Sequence, residues 1–433
     1  MRVLWLCNIM LPAIAESLGL PYSNREGWLT GIYERICAEN GAVELGICFP
    51  VMQPLPDNGG GSITGKAGGF RLKENGPVCY AFTENLAAPE VYDPSLEKRF
   101  GEILEAFRPD MVHIFGTEFP HTLAMARAFG RPERILAGIQ GLCFACAEAY
   151  MADLPERVIN RRTFRDRLKK DGIREQQEKF RIRGEREKEA LKIVGNITGR
   201  TEFDRRETGK INGNAVYFFM NETMRAPFYS GSWERDKCVS HRIFLSQGDY
   251  PLKGFHYALQ AMPAILRKYP DACICVAGNS IIDHKTWKDK IRISSYGKYL
   301  LELIREGHLE GHVEVTGRLN AEQMKEQLLK SSLFLCPSSL ENSPNSMGEA
   351  MLLGVPVAAA DTGGIPSLIE PEAEGLLYEA GNVEKLAEAV LRVWEEPEQT
   401  EQRAQAARIR AFETHDGNKN YERLLEIYRE ICQ

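Results

Sequence analysis

The fold is decided by residues 333–369, which read LFLCPSSLENSPNSMGEAMLLGVPVAAADTGGIPSLI. The pattern predicts a buried strand (Leu333 to Cys336), a polar loop, a helix that begins near Ser346 and ends at Gly354, and a second strand (Val355 to Ala360). Because strands and helical patterns alternate in this way along the whole chain, the sequence predicts parallel sheets covered by helices.

The loop and the start of the helix carry two carboxylates, Glu341 and Glu349, eight positions apart. A helix N-terminus with unpaired N–H groups suits a phosphate. Two acids would repel a diphosphate unless they bind neutral hydroxyls on either side of it, and sugars have such hydroxyls. The residues expected to turn the backbone and present N–H groups are Asn342, Ser343, Asn345 and Ser346.

This Glu-x7-Glu loop lies between a strand ending in Pro-Ser and a helix of the form GEAMLLGVPV. The whole run resembles the donor-site signature of retaining glycosyltransferases of family 4, which have the GT-B fold. The resemblance implies two Rossmann-like parallel-sheet domains facing a central cleft. It also implies that Glu349 holds the ribose hydroxyls and Glu341 the donor sugar. The alternative is an N-cap loop with solvated acids.

Length and composition restrict the classes of protein. A chain of 433 residues predicts two domains, and a net charge of -6 argues against a nucleic-acid partner. Eleven scattered cysteines and a strand that begins directly after Met1 predict a reduced, cytoplasmic protein. Cys143 and Cys146 form one CxxC pair, but zinc needs four ligands and no second pair has matching spacing. No metal site is therefore predicted.

The domain boundaries follow from a polar run, Tyr229 to Cys238, which is the candidate linker. We predict an N-terminal Rossmann-like, acceptor-binding domain over 1–230 and a C-terminal Rossmann-like, nucleotide-sugar-binding domain over 238–412. In the fold that the sequence resembles, the last helix (415–433) crosses back to the first domain.

Candidate residues of the first domain lie after its predicted strands. Family 4 enzymes have a glycine-rich loop before the first helix, and Gly27 occupies that place here, either as a binding residue or as a helix-start glycine. Members often have His-x-His after a later strand, where this chain has His113 and Phe115. The role of the missing second histidine moves to Glu118 or His121, or the site works without it. His113 itself could equally be a buried strand histidine.

Candidate residues of the second domain begin in SQGDYPLKG, residues 246–254. The family usually has Gly-Arg followed by Lys-Gly here, with the arginine and lysine clamping the diphosphate. Lys253 matches, while Gln247, followed by Gly248, replaces the arginine. Arg318, which follows Gly317 after another predicted strand, could compensate or border the base.

Two further stretches have a distinctive composition. Residues 58–69 imitate a phosphate loop, but Ala67 stands where the magnesium-binding hydroxyl belongs, so a flexible hairpin loop is predicted. Residues 161–192 contain thirteen Lys or Arg against seven Asp or Glu, and apolar residues interleave with them, among them Phe164, Leu168, Phe180 and Ile182. This stretch predicts contact with an anionic membrane surface, peripheral at the inner face of the plasma membrane, or with a lipid diphosphate acceptor. Solvated helix faces are the alternative.

The chain contains no Asp-x-Asp, the motif with which other glycosyltransferases hold a metal. The resemblance therefore implies a metal-independent, retaining transfer of a hexose from a nucleotide sugar, expected to be a UDP sugar, without a cofactor. The acceptor is expected to be a glycan or lipid-linked molecule in cell-surface polysaccharide or glycolipid synthesis. A non-catalytic GT-B subunit that binds glycan or nucleotide is the rival hypothesis. A dehydrogenase is disfavoured, since no GxGxxG opens a helix.

Overall fold

The computed structural model describes residues 1–20, 27–39, 41–55, 62–64, 67–74, 76–282 and 286–433. These residues fall into two compact units. The first comprises Met1–Phe144, Lys179–Met224 and His415–Gln433, and the second comprises Ala145–Glu178 and Arg225–Thr414. Each unit is built on its own sheet, so the predicted α/β class with two parallel-sheet domains is confirmed.

The described part of the first unit contains a nine-stranded sheet in the order β3-β4-β5-β2-β1-β6-β7-β8-β9. All neighbours are parallel except β3 with β4 and β4 with β5, which are antiparallel. The strands are β1 (Arg2–Cys7), β2 (Glu44–Val51), β3 (Ser62–Thr64), β4 (Gly69–Arg71), β5 (Val78–Thr83), β6 (Met111–Phe115), β7 (Ile135–Gly138), β8 (Asn196–Gly199) and β9 (Val216–Phe219).

The second unit contains a six-stranded sheet in the order β12-β11-β10-β13-β14-β15, in which every neighbouring pair is parallel. In chain order this is the 3-2-1-4-5-6 arrangement of the Rossmann fold, whose strand order reverses between β10 and β13. The strands are β10 (Val239–Leu245), β11 (Cys273–Ala277), β12 (Val313–Gly317), β13 (Ser331–Cys336), β14 (Val357–Asp361) and β15 (Leu376–Glu379).

Helices connect the parallel strands in both units. In chain order they are α1 (Pro12–Ser17), α2 (Gly27–Ala38), α3 (Ser95–Phe107), α4 (Pro120–Phe129), α5 (Cys143–Ala149), α6 (Glu156–Ile159), α7 (Phe164–Lys169), α8 (Ile173–Ile193), α9 (Glu202–Ile211), α10 (Phe255–Leu266), α11 (Trp287–Arg292), α12 (Ser295–Glu306), α13 (Ala321–Lys330), α14 (Asn345–Leu353), α15 (Ile365–Leu368), α16 (Val383–Glu395), α17 (Pro397–Thr414) and α18 (Gly417–Cys432).

Residues 333–369, which decide the fold, adopt largely the structure that their pattern predicts. Strand β13 ends at Cys336, helix α14 begins at Asn345, and Gly354 ends that helix with φ 74°. Glycine is the residue usually found where a helix ends in the left-handed backbone conformation. The following strand begins at Val357 rather than at Val355.

The last helix belongs to the first unit, where it packs against the first strand. The indole Nε1 of Trp5 donates to the Tyr428 hydroxyl at 2.8 Å. Both side chains are fully buried, and Leu424 and Ile427 of the same helix lie in the same core. Helix α18 is therefore part of the first unit's core although it ends the chain.

The structure divides the chain differently from the predicted boundaries over Ala145–Glu178, which groups with the second unit. Tyr257 donates its hydroxyl proton to Asp153 Oδ2 at 2.8 Å, and Ser295 N donates to Asp166 Oδ2 at 2.9 Å. These contacts join residues more than a hundred positions apart, so reading the pattern in chain order could not reveal them.

No helix of the described residues combines the length and apolar character that crossing a bilayer requires.

Candidate functional site

The loop between β13 and α14 lies at the carboxyl end of the second sheet, beside the point where the strand order reverses. Ligands of open parallel sheets bind at such points. The loop is held by neighbouring backbone: Ser339 N donates to Leu252 O at 2.9 Å, and Gly364 N donates to Glu341 O at 2.9 Å. Gly363 has φ 55°, and a β-carbon there would overlap the carbonyl oxygen of Glu341. The close approach that fixes Glu341 therefore requires glycine at 363.

Lys253 and Glu341 meet in this place. The ammonium Nζ donates to Glu341 Oε1 at 2.6 Å, and the Ser338 hydroxyl donates to the same oxygen at 2.8 Å. The two charged side chains are only 20% and 12% exposed. Burial alone disfavours the charged form of Lys253, but the Glu341 carboxylate outweighs it and raises the lysine pKa. Glu341 therefore holds Lys253 in place as a charged ammonium.

The turn that carries Lys253 is shaped by Gly254. This residue has φ 69°, and a β-carbon on it would overlap the carbonyl oxygen of Pro337 at the start of the loop. The loops after β10 and β13 thus pack against each other without a side chain between them. This is the physical reason why the predicted Lys-Gly pair and the Glu341 loop come together.

Glu349 lies one turn inside α14 and is 4% exposed. Its carboxylate is held by Arg225, whose Nε donates to Oε1 at 2.7 Å and whose Nη2 donates to Oε2 at 2.8 Å. Burial raises the pKa of Glu349, and Arg225 opposes that shift. Two parallel hydrogen bonds orient the carboxylate, while its remaining lone pairs can still accept from hydroxyl groups.

The start of α14 is formed by the predicted phosphate-binding residues. Asn342 is buried, whereas Ser343, Asn345 and Ser346 are half-buried. The N-cap is Pro344, which makes no side-chain hydrogen bond to the helix, and the Ser246 hydroxyl donates to the Ser346 hydroxyl at 2.9 Å. The partial positive charge at the start of a helix is compatible with an anion.

Gln247 and Arg318 belong to one chain of hydrogen bonds at the carboxyl ends of β10, β11 and β12. Gln247 Nε2 donates to Asp249 Oδ1 at 2.8 Å, and Asn279 Nδ2 donates to Asp249 Oδ2 at 2.9 Å. Arg318 Nε donates to Asn279 Oδ1 at 2.8 Å. The structure thus links Arg318 to Gln247 through Asn279 and Asp249. Whether the guanidinium reaches a ligand stays a prediction.

The two predicted glycines of this region occupy different surroundings. Gly248 is buried, and a β-carbon there would lie 2.9 Å from Val276 Cγ1 and 3.0 Å from Phe255 Cδ1. Gly317 has φ 78° and open space around it. Gly248 therefore serves close packing of its loop, whereas Gly317 turns the backbone toward Arg318.

The predicted residues of the first unit form a separate buried network at the carboxyl ends of β1 and β6. His121 is 0% exposed, with Nδ1 2.7 Å from Glu84 Oε2 and Nε2 2.9 Å from Asn8 Oδ1. Asn8 Nδ2 in turn donates to Glu118 Oε2 at 3.2 Å. His121 therefore positions Glu118 through Asn8. Burial raises the pKa of Glu118, and Arg183, Asn8 and His121 oppose that shift.

His113 and Phe115 are core residues of strand β6. His113 is 0% exposed, its Nδ1 lies 2.6 Å from the Tyr428 hydroxyl, and burial lowers its pKa to about 3. The ring of Phe115 packs edge-on against Trp5, with centroids 4.8 Å apart. Of the two readings of His113, the buried strand histidine is the one that this geometry favours.

Other predicted features lie at the limits of the described residues. Gly27 is the first residue of α2, and the loop before it, residues 21–26, lies outside the described residues. Half of the phosphate-loop imitation at 58–69, namely residues 58–61, 65 and 66, lies outside them as well. Within the described residues, no three His, Cys, Asp or Glu side chains come together as a group that could hold a metal ion.

Two charged residues of these networks were missed by the sequence reasoning. Arg225 lies in an irregular segment after β9, and Glu187 lies within the basic helix α8. Glu187 accepts from the Thr117 hydroxyl at 2.6 Å and from Phe144 N at 3.2 Å, and burial raises its pKa to about 8. Neither residue stands in a local motif, so no sequence signal would have found them.

Comparison with known proteins identifies a matching family and several relatives. Residues 240–410 match the family "Glycosyl transferases group 1". Over 149 residues, or 32% of this chain and 37% of the relative, the chain is 30% identical to an amylovoran biosynthesis glycosyltransferase, AmsK, of Erwinia amylovora. Over 155 residues, or 34% of this chain and 36% of the relative, it is 28% identical to a GDP-mannose-dependent monoacylated alpha-(1-6)-phosphatidylinositol monomannoside mannosyltransferase of Corynebacterium glutamicum.

A solved structure resembles the chain over its full length. It is the Anabaena protein Alr3699/HepE in complex with UDP-glucose, with a TM-score of 0.66 and 15% identity over 99% of this chain and 100% of that one. The chain therefore has the GT-B fold, as predicted, and contains a glycosyl transferases group 1 domain. The sequence matches span about a third of the length of the curated relatives.

Proposed function

We propose that this protein is a retaining, metal-independent glycosyltransferase of the family 4 type. It moves a hexose from a nucleotide sugar to a glycan or lipid-linked acceptor in the synthesis of a cell-surface polysaccharide or glycolipid. The observation that carries the proposal is the contact between Lys253 and Glu341 at the reversal point of the second sheet. A cation and a carboxylate held 2.6 Å apart beside the start of α14 fit a sugar diphosphate better than either group alone.

The leaving nucleotide needs positive charge where the bond to the sugar breaks. Lys253 supplies it, because its raised pKa keeps the ammonium charged at neutral pH. The backbone N–H groups at the start of α14 add partial positive charge from the same side. In this role no metal ion is required to neutralise the diphosphate.

The two acids then bind opposite ends of the donor. Glu341 accepts from hydroxyls of the sugar, and Glu349, oriented by Arg225, accepts from the ribose. In the transfer, the bond from the anomeric carbon to the phosphate oxygen breaks. The acceptor oxygen attacks from the same face, and its proton passes to the departing phosphate oxygen. The anomeric configuration is thereby retained.

The proposal specifies the class of the donor, which is a nucleotide sugar. HepE was solved with UDP-glucose, whereas the Corynebacterium relative is described as GDP-mannose-dependent. We propose a UDP sugar as the donor. The acceptor class is supported by the phosphatidylinositol mannoside in the name of that same relative.

A panel of nucleotide sugars tests the proposal. The protein is incubated with UDP-glucose, UDP-N-acetylglucosamine, UDP-galactose and GDP-mannose without acceptor, in the presence of EDTA, and release of the nucleoside diphosphate is measured. We expect release from one UDP sugar, loss of release in Lys253→Met, and no change in the control Lys385→Met, whose lysine lies exposed on α16. The configuration of the released sugar, followed by NMR before mutarotation, tests retention.

The rival hypothesis of a non-catalytic GT-B subunit is favoured by one observation. Gln247 stands in the place of the family's arginine and is held by Asp249, so one cation of the expected diphosphate clamp is missing. Tight binding of a nucleoside diphosphate by calorimetry, without release from any donor in the panel, would support the subunit and contradict the enzyme.

A further inference from the structure

Helix α7 exposes apolar side chains and buries a charged one, which is the reverse of most surface helices. Phe164 and Leu168, four positions apart and so on one face, are 66% and 74% exposed. The buried residue of this helix is Asp166, which is 1% exposed. Surface helices normally bury their apolar stripe and expose their charges. Here the carboxylate points inward and the two large apolar side chains point to solvent.

The orientation of α7 is fixed by hydrogen bonds. Asp166 and Thr163 form a reciprocal capping box at the start of the helix. Asp166 Oδ2 also accepts from Ser295 N at 2.9 Å, at the start of helix α12. Rotating Phe164 and Leu168 inward would break these bonds and leave a buried carboxylate without partners, which is strongly unfavourable. The exposure of the two side chains is therefore a property of the fold.

A second short helix extends the apolar surface. Helix α11 packs against α7 and exposes Trp287 and Ile291, also four positions apart, at 68% and 43%. Most other large exposed apolar residues of the described chain stand singly or in strands. Four such side chains on two neighbouring helices are the kind of patch that marks a binding surface.

Positive charge surrounds these side chains. Arg167, Lys169 and Lys170 are exposed, and no Asp or Glu of the described residues lies within ion-pair distance of them. Other basic residues of the predicted membrane stretch are engaged: Arg165 binds Asp166 and Asp171, and Arg183 Nε donates to the Glu118 carbonyl at 2.9 Å. The predicted stretch 161–192 thus contributes chiefly through α7 and the lysine that follows it.

We propose that the second unit docks on an anionic membrane through the face formed by Phe164, Leu168, Trp287 and Ile291 with Arg167, Lys169 and Lys170, called here the docking face. Large apolar side chains mixed with lysine and arginine suit the boundary between headgroups and acyl chains. Cores of protein interfaces, by contrast, are depleted of lysine. The charge and composition of the docking face therefore favour a lipid surface over a protein partner.

Vesicle co-sedimentation of the full chain without any substrate tests the inference, independently of the proposed function. We expect binding to phosphatidylcholine vesicles containing about 30% phosphatidylglycerol, weak binding to phosphatidylcholine alone, and release as salt shortens the Debye length below about 10 Å. Phe164→Ser with Leu168→Ser should weaken binding about a hundredfold, since each buried side chain contributes roughly tenfold. The matched control is Val216→Ser with Phe219→Ser, which removes two apolar side chains that are 49% and 52% exposed in the first unit.

Charge reversal supplies a second test that leaves the apolar side chains in place. Arg167→Glu with Lys169→Glu should weaken binding to the anionic vesicles by about twentyfold or more. Lys98→Glu with Lys419→Glu, which reverses two exposed charges in the first unit, should change it far less. Trp287 emission should shift to the blue on binding and be quenched by brominated lipid, and Trp287→Phe should remove that signal.

Three outcomes would overturn the inference. The first is absence of binding to anionic vesicles, and the second is equal weakening by the docking-face variants and their controls. The third is self-association of the wild type in sedimentation velocity that disappears in Phe164→Ser with Leu168→Ser, which would make the docking face a contact between copies of this chain. Unchanged melting temperatures of the variants exclude misfolding as the cause of lost binding.

Discussion

Replacing Arg225 with methionine should destabilise the second unit strongly. Glu349 is 4% exposed, and both of its carboxylate oxygens accept from Arg225. Removing one partner of a buried ion pair leaves an unpaired charge and costs about 3 to 5 kcal/mol. For a domain of this size, 1 kcal/mol corresponds to about 2 to 4 °C, so the melting temperature should fall by about 6 to 20 °C. Methionine keeps most of the packing of the arginine stem.

The measurement is thermal and urea unfolding of Arg225→Met beside the control Arg235→Met. Arg235 pairs with Glu401 at 3.1 Å, but these side chains are 47% and 46% exposed. A surface pair of this kind contributes about 1 kcal/mol or less. The difference between the two variants isolates the effect of burial.

The loss of stability in Arg225→Met should depend on pH. Burial already raises the pKa of Glu349 in the wild type, and loss of Arg225 should raise it further. A carboxyl with a raised folded-state pKa binds its proton more tightly in the folded protein, so acidification restores stability. The loss in Arg225→Met should therefore be smaller at pH 5 than at pH 8, and Arg225→Met with Glu349→Gln should lose less than Arg225→Met alone. Equal melting temperatures of Arg225→Met and Arg235→Met would refute the buried pair.

The remaining predictions concern ligand binding, metal and protonation. Glu349→Gln should weaken binding of the nucleoside diphosphate about ten- to a hundredfold, since a charged hydrogen bond contributes roughly 1.5 to 3 kcal/mol, whereas Glu341→Gln should leave that affinity nearly unchanged and lower kcat/KM for transfer. Calorimetry and transfer rates on both variants check this, and equal loss of nucleotide affinity would contradict it. Transfer should proceed in excess EDTA, and activity restored only by magnesium or manganese would speak against the proposal. The pKa of Glu187 rises from 4.5 to about 8 on burial, so this carboxyl costs the wild type stability as pH rises between those values. Glu187→Gln should gain relative to the wild type by up to about 1.4 kcal/mol per pH unit in that range, measured by urea unfolding, and a constant difference would contradict the shift.

Much of the second unit could be predicted from the sequence because its signals are local. The alternation of apolar strands and helices, the glycine at 354 and the two acids eight positions apart all act within one supersecondary unit. The Lys-Gly pair at 253 and 254 could be aligned with the family for the same reason. In each case neighbouring residues carry both the backbone signal and the chemistry.

The first unit was harder to predict because its polar residues are joined across strands. His121 reaches Glu84 and Asn8, and His113 reaches Tyr428, which lies 315 positions later in the chain. Hydrophobic periodicity indicates whether a histidine in a strand faces the core or the solvent, but it does not identify the residue to which that histidine is hydrogen-bonded. The sequence therefore could not decide whether His113 belongs to the site or is a buried strand histidine, because that depends on the tertiary structure.

The sequence by itself determined the α/β class, the two parallel sheets, and the loop and helix that carry Glu341 and Glu349, since hydrophobic periodicity and turn residues act over short distances. Only the tertiary structure decided which charges neutralise each other, as with Arg225 and Glu349. It alone also showed that α7 buries Asp166 and exposes Phe164 and Leu168. The physical reason is that the pairing and burial of a charge depend on what packs around it, and those neighbours come from distant parts of the chain.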